Sequence, residues 1–503
     1  MTEVPVMGFL ALVLVPALHA ELIPHVRGEK RARILALAGT VASCVLVALL
    51  TSYYYGRDSG TSLAYAHVNF WGPHALHFVI DALNAPLILL AATLTAALVL
   101  GGPLGVLARN HLRALLWLEG LIMLSLTTAD LVVLSVTWTL AVLPLYLLTG
   151  EGAPSAERRA VLRVFKLYQG IGLACFLTAC AMLGYWTRPS GFVDMSLLHV
   201  DAGAVPAPVR PWIFGLLTVA ALVRMGVTPF HSWLPLSLQR SALLPLALLV
   251  SMRGGLYLMA RLALPAFPDV GHDAMPILAV LALVSAVYGA VVSLAQQDLR
   301  RMVGFWVVSQ SGIMLTGFVF GDEHAASGTL LYWLGFAMAT IGLALVLSAL
   351  EARTGTVDMR QLGGLVRRMP NLCAAFFLFG LATIAIPGTV AFAAEDMLVH
   401  GALEAHPLLT LVMIVAMVLN AVSVVRAFTT AFLGDVRAGS RVQRGSLVDL
   451  LPRERIALSA LLIALIAAGI WPAPLIVAQT PAARDIAFME QRGRTPDESR
   501  RSP

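Results

Sequence analysis

Apolar runs of about twenty residues follow one another along almost the whole chain, and this repetition limits the fold more than any other feature. A run of that length, coiled as a helix, crosses a hydrocarbon core of about 30 Å. No water reaches that depth to pair with exposed N–H and C=O groups, so a spanning segment must satisfy its own backbone, which a long continuous run does as a helix. A 503-residue chain that is 59% hydrophobic and 12% charged carries about half the charge of an average soluble protein. It therefore reads as an all-α polytopic membrane protein. Fourteen spans are expected, at about 6–23, 33–54, 83–104, 113–128, 130–149, 160–185, 212–234, 243–266, 276–296, 301–321, 328–350, 371–397, 407–432 and 456–475. The first run passes through Leu22 into HVRGEKRAR with no small-residue cleavage site, so no cleavable signal is expected.

The net charge of +6 is concentrated in alternate short loops. Arg27, Lys30, Arg31 and Arg33 mark the first, Arg109 and Arg113 the third, Arg158 and Arg159 the fifth, and Arg240 the seventh. Arg300 and Arg301 follow in the ninth, Arg353, Arg360, Arg367 and Arg368 in the eleventh, and Arg437, Arg441 and Arg444 in the thirteenth. Basic loops favour the cytoplasm, which places the odd loops inside and both termini on the outer side of a cytoplasmic (inner) membrane. The arginine-rich tail after about residue 480 fits that placement poorly. Cys44, Cys175, Cys180 and Cys373 lie in apolar segments without a CxxC pair and read as packing residues. No dinucleotide or phosphate-loop fingerprint is present, so no cofactor and no enzymatic active site are expected on this chain. His74, His77, His324, His400 and His406 sit near outer ends at spacings that match no metal-ligand pattern. The longest pieces outside the spans, near 186–211 and 433–455, are too short to bury a core of their own.

Against this background two spans carry groups that lipid does not tolerate. Arg224 and Arg253 lie well inside apolar runs, where a cation costs several kcal/mol or more unless it faces a bundle interior or a hydrated path. The duller readings are snorkelling for Arg224 and helix packing by Gly254 and Gly255 beside Arg253. Pro229, five residues past Arg224, lacks an N–H and predicts a break near Val227 and Thr228. The twelfth span repeats the pattern in LATIAIPGTVAFAAEDML, with a break predicted at Pro387 and Gly388 before Glu395 and Asp396. Interrupted spans at corresponding places in two halves point to a binding or conduction site. The expected organisation is an N-terminal three-helix segment (1–112), a first five-span repeat (113–266), a second of inverted topology (276–432), and a last span with a polar tail (433–503).

Six blocks together resemble the antiporter-like, proton-translocating membrane subunits of respiratory NADH-quinone oxidoreductase (complex I), a family shared with multisubunit cation/proton antiporters and membrane-bound hydrogenases. They are DALNAP at 81–86, WTLAVLPLYLLTG at 138–150, PFHSWLP at 229–235, QQDLRRMVGFWVVSQSG at 296–312, DMRQLGGL at 358–365 and PGTVAFAAEDML at 387–398. The resemblance spans about residues 80–435 and is closest to the subunit M/L type. The absence of a long lateral helix after the fourteenth span is expected on the same ground. The resemblance implies two inverted five-helix repeats, each with a broken helix, joined by buried charges along the membrane midplane.

Carried over residue by residue, Arg224 stands where the family has a seventh-span lysine, Arg253 at the lysine of the eighth, and Glu395 at the terminal glutamate. The fifth-span glutamate is missing, since Thr139 follows Trp138. These departures matter chemically: buried lysine can release a proton near neutral pH, whereas a guanidinium effectively cannot. Glu119 on the fourth span is a candidate counter-ion for Arg224, or a carboxylate held for packing. Lys166, one of only two lysines, matches a family position on the sixth span but lies close enough to its end to snorkel. His231 is a candidate proton carrier or a cap on the broken helix. Glu395 and Asp396 point about 100° apart on a helix, so only one, here Glu395, is expected to face a channel.

Three functions follow from these readings. The first is a proton- or cation-translocating subunit of a redox-energised, complex I-like translocase. The second is the proton-conducting half of a two-component inorganic-carbon uptake complex, which the missing glutamate and the arginines favour modestly. The third is a non-conducting scaffold. All three require the lipid bilayer and other membrane subunits, the first two also a soluble energising or catalytic subunit, and none involves nucleic acid.

Overall fold

The computed structural model describes residues 2–3, 6–57, 64–71, 74–149, 155–187, 202–319, 323–434 and 447–493. The loop arginines Arg437, Arg441 and Arg444, the tail from 494 and the side chain of His74 lie outside the described residues. The chain begins with β1 (Thr2–Glu3), α1 (Val6–Leu22) and α2 (Glu29–Arg57), then β2 (Ala64–Trp71) and β3 (His74–Ile80). β1 pairs parallel to β2, and β2 pairs antiparallel to β3 with His67 opposite His77. This small sheet corrects the all-α expectation. The alternation in AYAHVNFW and HALHFVI carried the signal, but both segments lie in what reads as a loop between spans.

Helices follow almost without interruption: α3 (Ala85–Gly101), α4 (Arg109–Thr127), α5 (Leu131–Leu140), α6 (Leu143–Leu148), α7 (Ser155–Trp186), α8 (Arg210–Met225) and α9 (Trp233–Arg240). Then come α10 (Leu243–Ser251), α11 (Gly254–Leu258), a π-helical turn over Met259–Ala263, α12 (Leu264–Ala266), α13 (Pro268–Ala295), α14 (Leu299–Val319) and α15 (Glu323–Thr354). The chain closes with α16 (Pro370–Thr383), α17 (Val390–Ala405), α18 (Pro407–Phe432), α19 (Pro452–Ile470) and α20 (Ala473–Gly493).

Among the described residues nine helical segments are long and apolar enough to cross a membrane, or ten if α19 and α20 count as one bent span. The expected count of fourteen is therefore not established. Two of the remaining candidates, α8–α9 and α16–α17, are each divided by a break into pieces too short to cross alone. α3 is short, and α4 dilutes its apolar run with Arg109, His111, Arg113 and Glu119.

The core lies around α14 and α15, whose apolar windows are wholly buried, while α1, α7 and α18 keep apolar faces outward. α14 can sit this deep because glycines admit its neighbour's backbone. A Cβ on Gly312 would come within 2.3 Å of the Ala282 carbonyl on α13.

The alternating loop charges gather as the helix directions require. At one end Arg113 pairs with Glu21, Arg300 with Glu351, and Arg353 with Glu454, the last at 2.5 Å. At the same end Asp449 caps α16 from outside, accepting from the Asn371 and Leu372 backbone N–H groups. The opposite end carries the sheet, the Asp81–Arg261 pair and the N-terminus of α15. The tail that fitted poorly is resolved in part: α20 leaves α19 at a bend of 76°, packs against α15 and α13, and pairs Arg484 with Glu323 at 2.9 Å. Its arginine thus pairs with a carboxylate at the sheet-bearing end, although a helix lying crosswise after the last span was not expected there.

Two outcomes follow. Gly255 on α11 meets α8 so closely that a Cβ would lie 2.2 Å from the Ala221 carbonyl, so Gly255→Val should destabilise the protein by about 3 kcal/mol or more, read as a lowered Tm in detergent. Burial pushes the Asp449 carboxyl up, but hydrogen bonds from Asn371, Leu450 and Leu372 outweigh it and hold the group below the usual carboxylate range. Its stabilisation is therefore complete above about pH 4 and is lost as pH falls through the lower folded value. Asp449→Asn should cost about 1 kcal/mol at neutral pH and flatten that acid limb in unfolding measurements.

Candidate functional site

Two helix breaks and a third interruption organise the interior. α8 stops at Met225 because Gly226 takes φ +70°, and the chain runs irregularly to Trp233. The carbonyls released there find new donors: the Trp233 indole donates to Val223 O at 2.9 Å, and the Ser311 hydroxyl to Met225 O at 2.8 Å. α16 stops at Thr383, and Ala385 (φ +52°) and Gly388 (φ +97°) carry the chain to Val390. Both breaks fall where proline predicted them. The third was not anticipated: Arg253 itself takes φ +41° between α10 and α11. A non-glycine residue in the left-handed region costs of order 1–3 kcal/mol, so the surroundings hold it there.

Arg224 and Arg253 are both buried, at 7% and 2% exposure, which sets aside snorkelling. The Arg224 guanidinium donates to Trp138 O at 2.9 Å and lies 4.5 Å from the centre of the Trp138 ring. Arg253 donates to the Ser311 hydroxyl and lies 5.0 Å from the Phe336 ring. Neither takes part in any ion pair among the described residues, and Arg224 Nη1 and Arg253 Nε and Nη2 have no protein acceptor. Beside Arg224 a cavity of about 40 Å³, lined in part by Trp138, Thr137, Ser125 and Tyr257, has room for water against the free nitrogen.

From Arg253 the polar contacts continue into the second half of the chain. Tyr332 on α15 lies within electrostatic reach of both the Arg253 guanidinium and the Glu395 carboxylate. Its hydroxyl donates to Gln310 Oε1 at 2.5 Å, and Gln310 Nε2 donates to the Thr383 carbonyl at 3.1 Å, at the second break. Two hydrogen-bonded groups thus lie in a row between the breaks, Met225 O–Ser311–Arg253 and Tyr332–Gln310–Thr383 O, with Arg224 next to the first through its chain neighbour Met225, and with Tyr332 in electrostatic reach of both Arg253 and Glu395. Ser311, Gln310 and Tyr332 were missed in the sequence. Ser311 and Gln310 sit in the quoted block at 296–312, yet neutral hydroxyls and amides in an apolar run look like ordinary packing.

The other candidates lie elsewhere. Glu119 does not meet Arg224: it is fully buried near α2, with Ser43 beside it outside hydrogen-bond geometry. Helix spacing cannot tell which neighbour a buried face meets, and α4 packs this face on α1 and α2. Lys166 is exposed and rests 5.0 Å above the Tyr146 ring, outside the row. Its long stem lies along the helix surface rather than entering the bundle. Asp396 is exposed too and pairs with His400 at 3.3 Å, as the 100° separation from Glu395 required. His231 sits in the first break against Tyr288 and Phe305, also off the row. Thr139 donates to Ser135 O on its own helix at 2.8 Å and supplies nothing to Arg224. Arg300, marked in the sequence only as a basic loop residue, lines a 260 Å³ cavity at the arginine-rich end with His111, Ser241, Ser348 and Glu351.

Interrupted helices in the two halves of a multi-pass bundle, with a polar row between them, define the class of antiporter-like membrane subunits. The chain belongs to the NADH:quinone oxidoreductase/Mrp antiporter transmembrane family, whose pattern matches residues 128–420, more than half of its length. It is 27% identical over 483 residues to NAD(P)H-quinone oxidoreductase chain 4 2 of Synechococcus sp. (strain JA-3-3Ab), covering 93% of this chain and 89% of that one. It is 26% identical over 415 residues to NADH-quinone oxidoreductase subunit M of Escherichia coli (strain K12), covering 80% of each. A chain of the respiratory complex I from Thermus thermophilus superposes with a TM-score of 0.85 at 25% identity, over 96% of this chain and all of that one. A chain of the Mrp complex from Dietzia sp. DQ12-45-1b shares the fold, with a TM-score of 0.83 at 19% identity, over 96% of this chain and 99% of that one.

Ser311 accepts from Arg253 and lies within reach of the Met225 and Val307 carbonyls, so Ser311→Ala should remove a partner from Met225 O, leave Arg253 with the Val307 carbonyl alone, and cost about 1–3 kcal/mol. A fall in Tm of the purified protein checks this, with Ser311→Thr expected to retain most of the stability.

Proposed function

We propose that this chain is a proton-translocating subunit of a complex I-like or Mrp-type assembly in a bacterial inner membrane, with both termini on the outer side. The buried polar row between the two helix breaks carries the reading, because ionic and hydrogen-bonding groups at that depth are costly unless they line a route. On this reading the fold is fourteen spans with inverted repeats at 113–266 and 276–432. A soluble redox subunit supplies the energy, and any redox cofactor resides in partner chains. Glu395 is the titrating terminus. Tyr332 and Gln310 hold polar groups between Arg253 and the second break, and the two arginines act as fixed charges that raise or lower the energy of a proton on neighbouring water without carrying it.

The missing carboxylate at Thr139, the arginines at 224 and 253, and the lack of an ion pair on Arg224 among the described residues favour a second reading in which the conducted proton drives inorganic-carbon uptake. Mass spectrometry of the co-purifying assembly separates the two: flavin or Fe–S subunits support the first, a zinc protein without flavin the second.

The function itself is tested with the purified assembly in proteoliposomes, measuring proton uptake under an imposed potassium-diffusion potential. Glu395→Gln should lower uptake at least tenfold while the assembly stays intact, and Tyr332→Phe should lower it severalfold. Unchanged uptake in both variants would leave only a scaffold.

A further inference from the structure

Arg224 presents a positive charge to a cavity. Its Nη2 donates to Trp138 O at 2.9 Å and the Trp138 ring lies 4.5 Å away, but Nη1 is buried with no protein acceptor. Both partners are dipoles, and among the described residues no carboxylate pairs with the guanidinium. The carboxylates of the interior are placed elsewhere: Glu119 lies near α2, Asp81 pairs with Arg261, and Glu395 lies within reach of Tyr332. The cavity of about 40 Å³ that Arg224 lines has room for about three waters, or for a halide ion with a water beside it, and is too small for an organic anion such as gluconate. Ser125 and Thr137 line it as well. The Ser125 hydroxyl donates to Ile122 O and that of Thr137 to Val133 O and Leu134 O, carbonyls that already accept a backbone N–H inside α4 and α5. Either hydroxyl can therefore turn toward an anion without leaving a helix carbonyl unpaired. Water in the same space solvates Nη1 but leaves the charge in place, and a buried charge stays costly until an opposite one meets it.

We propose that the cavity beside Arg224 is a binding site for one small monovalent anion of halide size, such as chloride, held by Arg224 Nη1 with the Ser125 and Thr137 hydroxyls as supporting donors. The anion fills the role of the missing carboxylate. Because it comes from the medium, the guanidinium is neutralised only where that ion is present. Binding does not depend on whether the chain conducts protons, so the failure of this site leaves the transport reading untouched.

The purified assembly tests this in detergent at constant ionic strength, with chloride, bromide or gluconate as the anion. Wild type should gain Tm saturably with chloride and with bromide, by about 2 °C or more, and gain nothing with gluconate. Arg224→Gln removes the charge, and Thr137→Asp supplies a carboxylate from the cavity wall. Each should raise the halide concentration needed for half the response at least tenfold. Crystals of the wild-type assembly soaked in bromide should show an anomalous peak within hydrogen-bond reach of Arg224 Nη1. Equal stability of wild type in all three anions, a halide response that either variant retains, or bromide peaks only away from Arg224 overturns the site. Where a variant does not assemble, the position of bromide in wild type decides.

Discussion

Two guanidinium groups are buried in an apolar bundle, and among the described residues no carboxylate pairs with either one. Such burial is costly, and everything around Arg224 and Arg253 serves to offset it with dipoles instead of charges. Aromatic faces from Trp138 and Phe336 lie against the two cations, and backbone oxygens freed by interrupted helices, together with the Ser311 hydroxyl, accept from them or from their neighbours. The helix breaks and the arginines therefore belong to one device: an uninterrupted α8 would use its own carbonyls internally and leave none for Trp233 or Ser311.

Ser311 is where that device joins the two halves. Its side chain on α14 touches the end of α8 and the left-handed turn at Arg253 at once, and the neighbouring Gln310 reaches the second break through Thr383. α14 carries both contacts because it is buried on every side, admitted by glycines that let backbone approach backbone.

The chain also shows how substitution of a single residue type alters a shared design. Where the resemblance implies lysine at 224 and 253 this chain has arginine, which keeps a positive charge and cannot readily release a proton. On the proposed function, titration then falls to Glu395. Lys166 and Asp396, which read in the sequence as further members of a relay, face outward with Tyr146 and His400.

Apolar run length, the charge alternation of the loops, the two proline breaks and the depth of Arg224 and Arg253 were legible in the sequence, because each depends on local chemistry or on the one-dimensional constraint that lipid imposes. Which faces meet was not. Glu119 lies against Ser43 instead of Arg224, Arg253 occupies a left-handed turn, and α20 packs against α13 and α15, all because packing between distant segments decides them. Neutral side chains such as Ser311, Gln310 and Tyr332 gain a role only from their three-dimensional neighbours, so hydrogen-bond geometry fixed by the tertiary structure, and no property of the residues alone, placed them in the row.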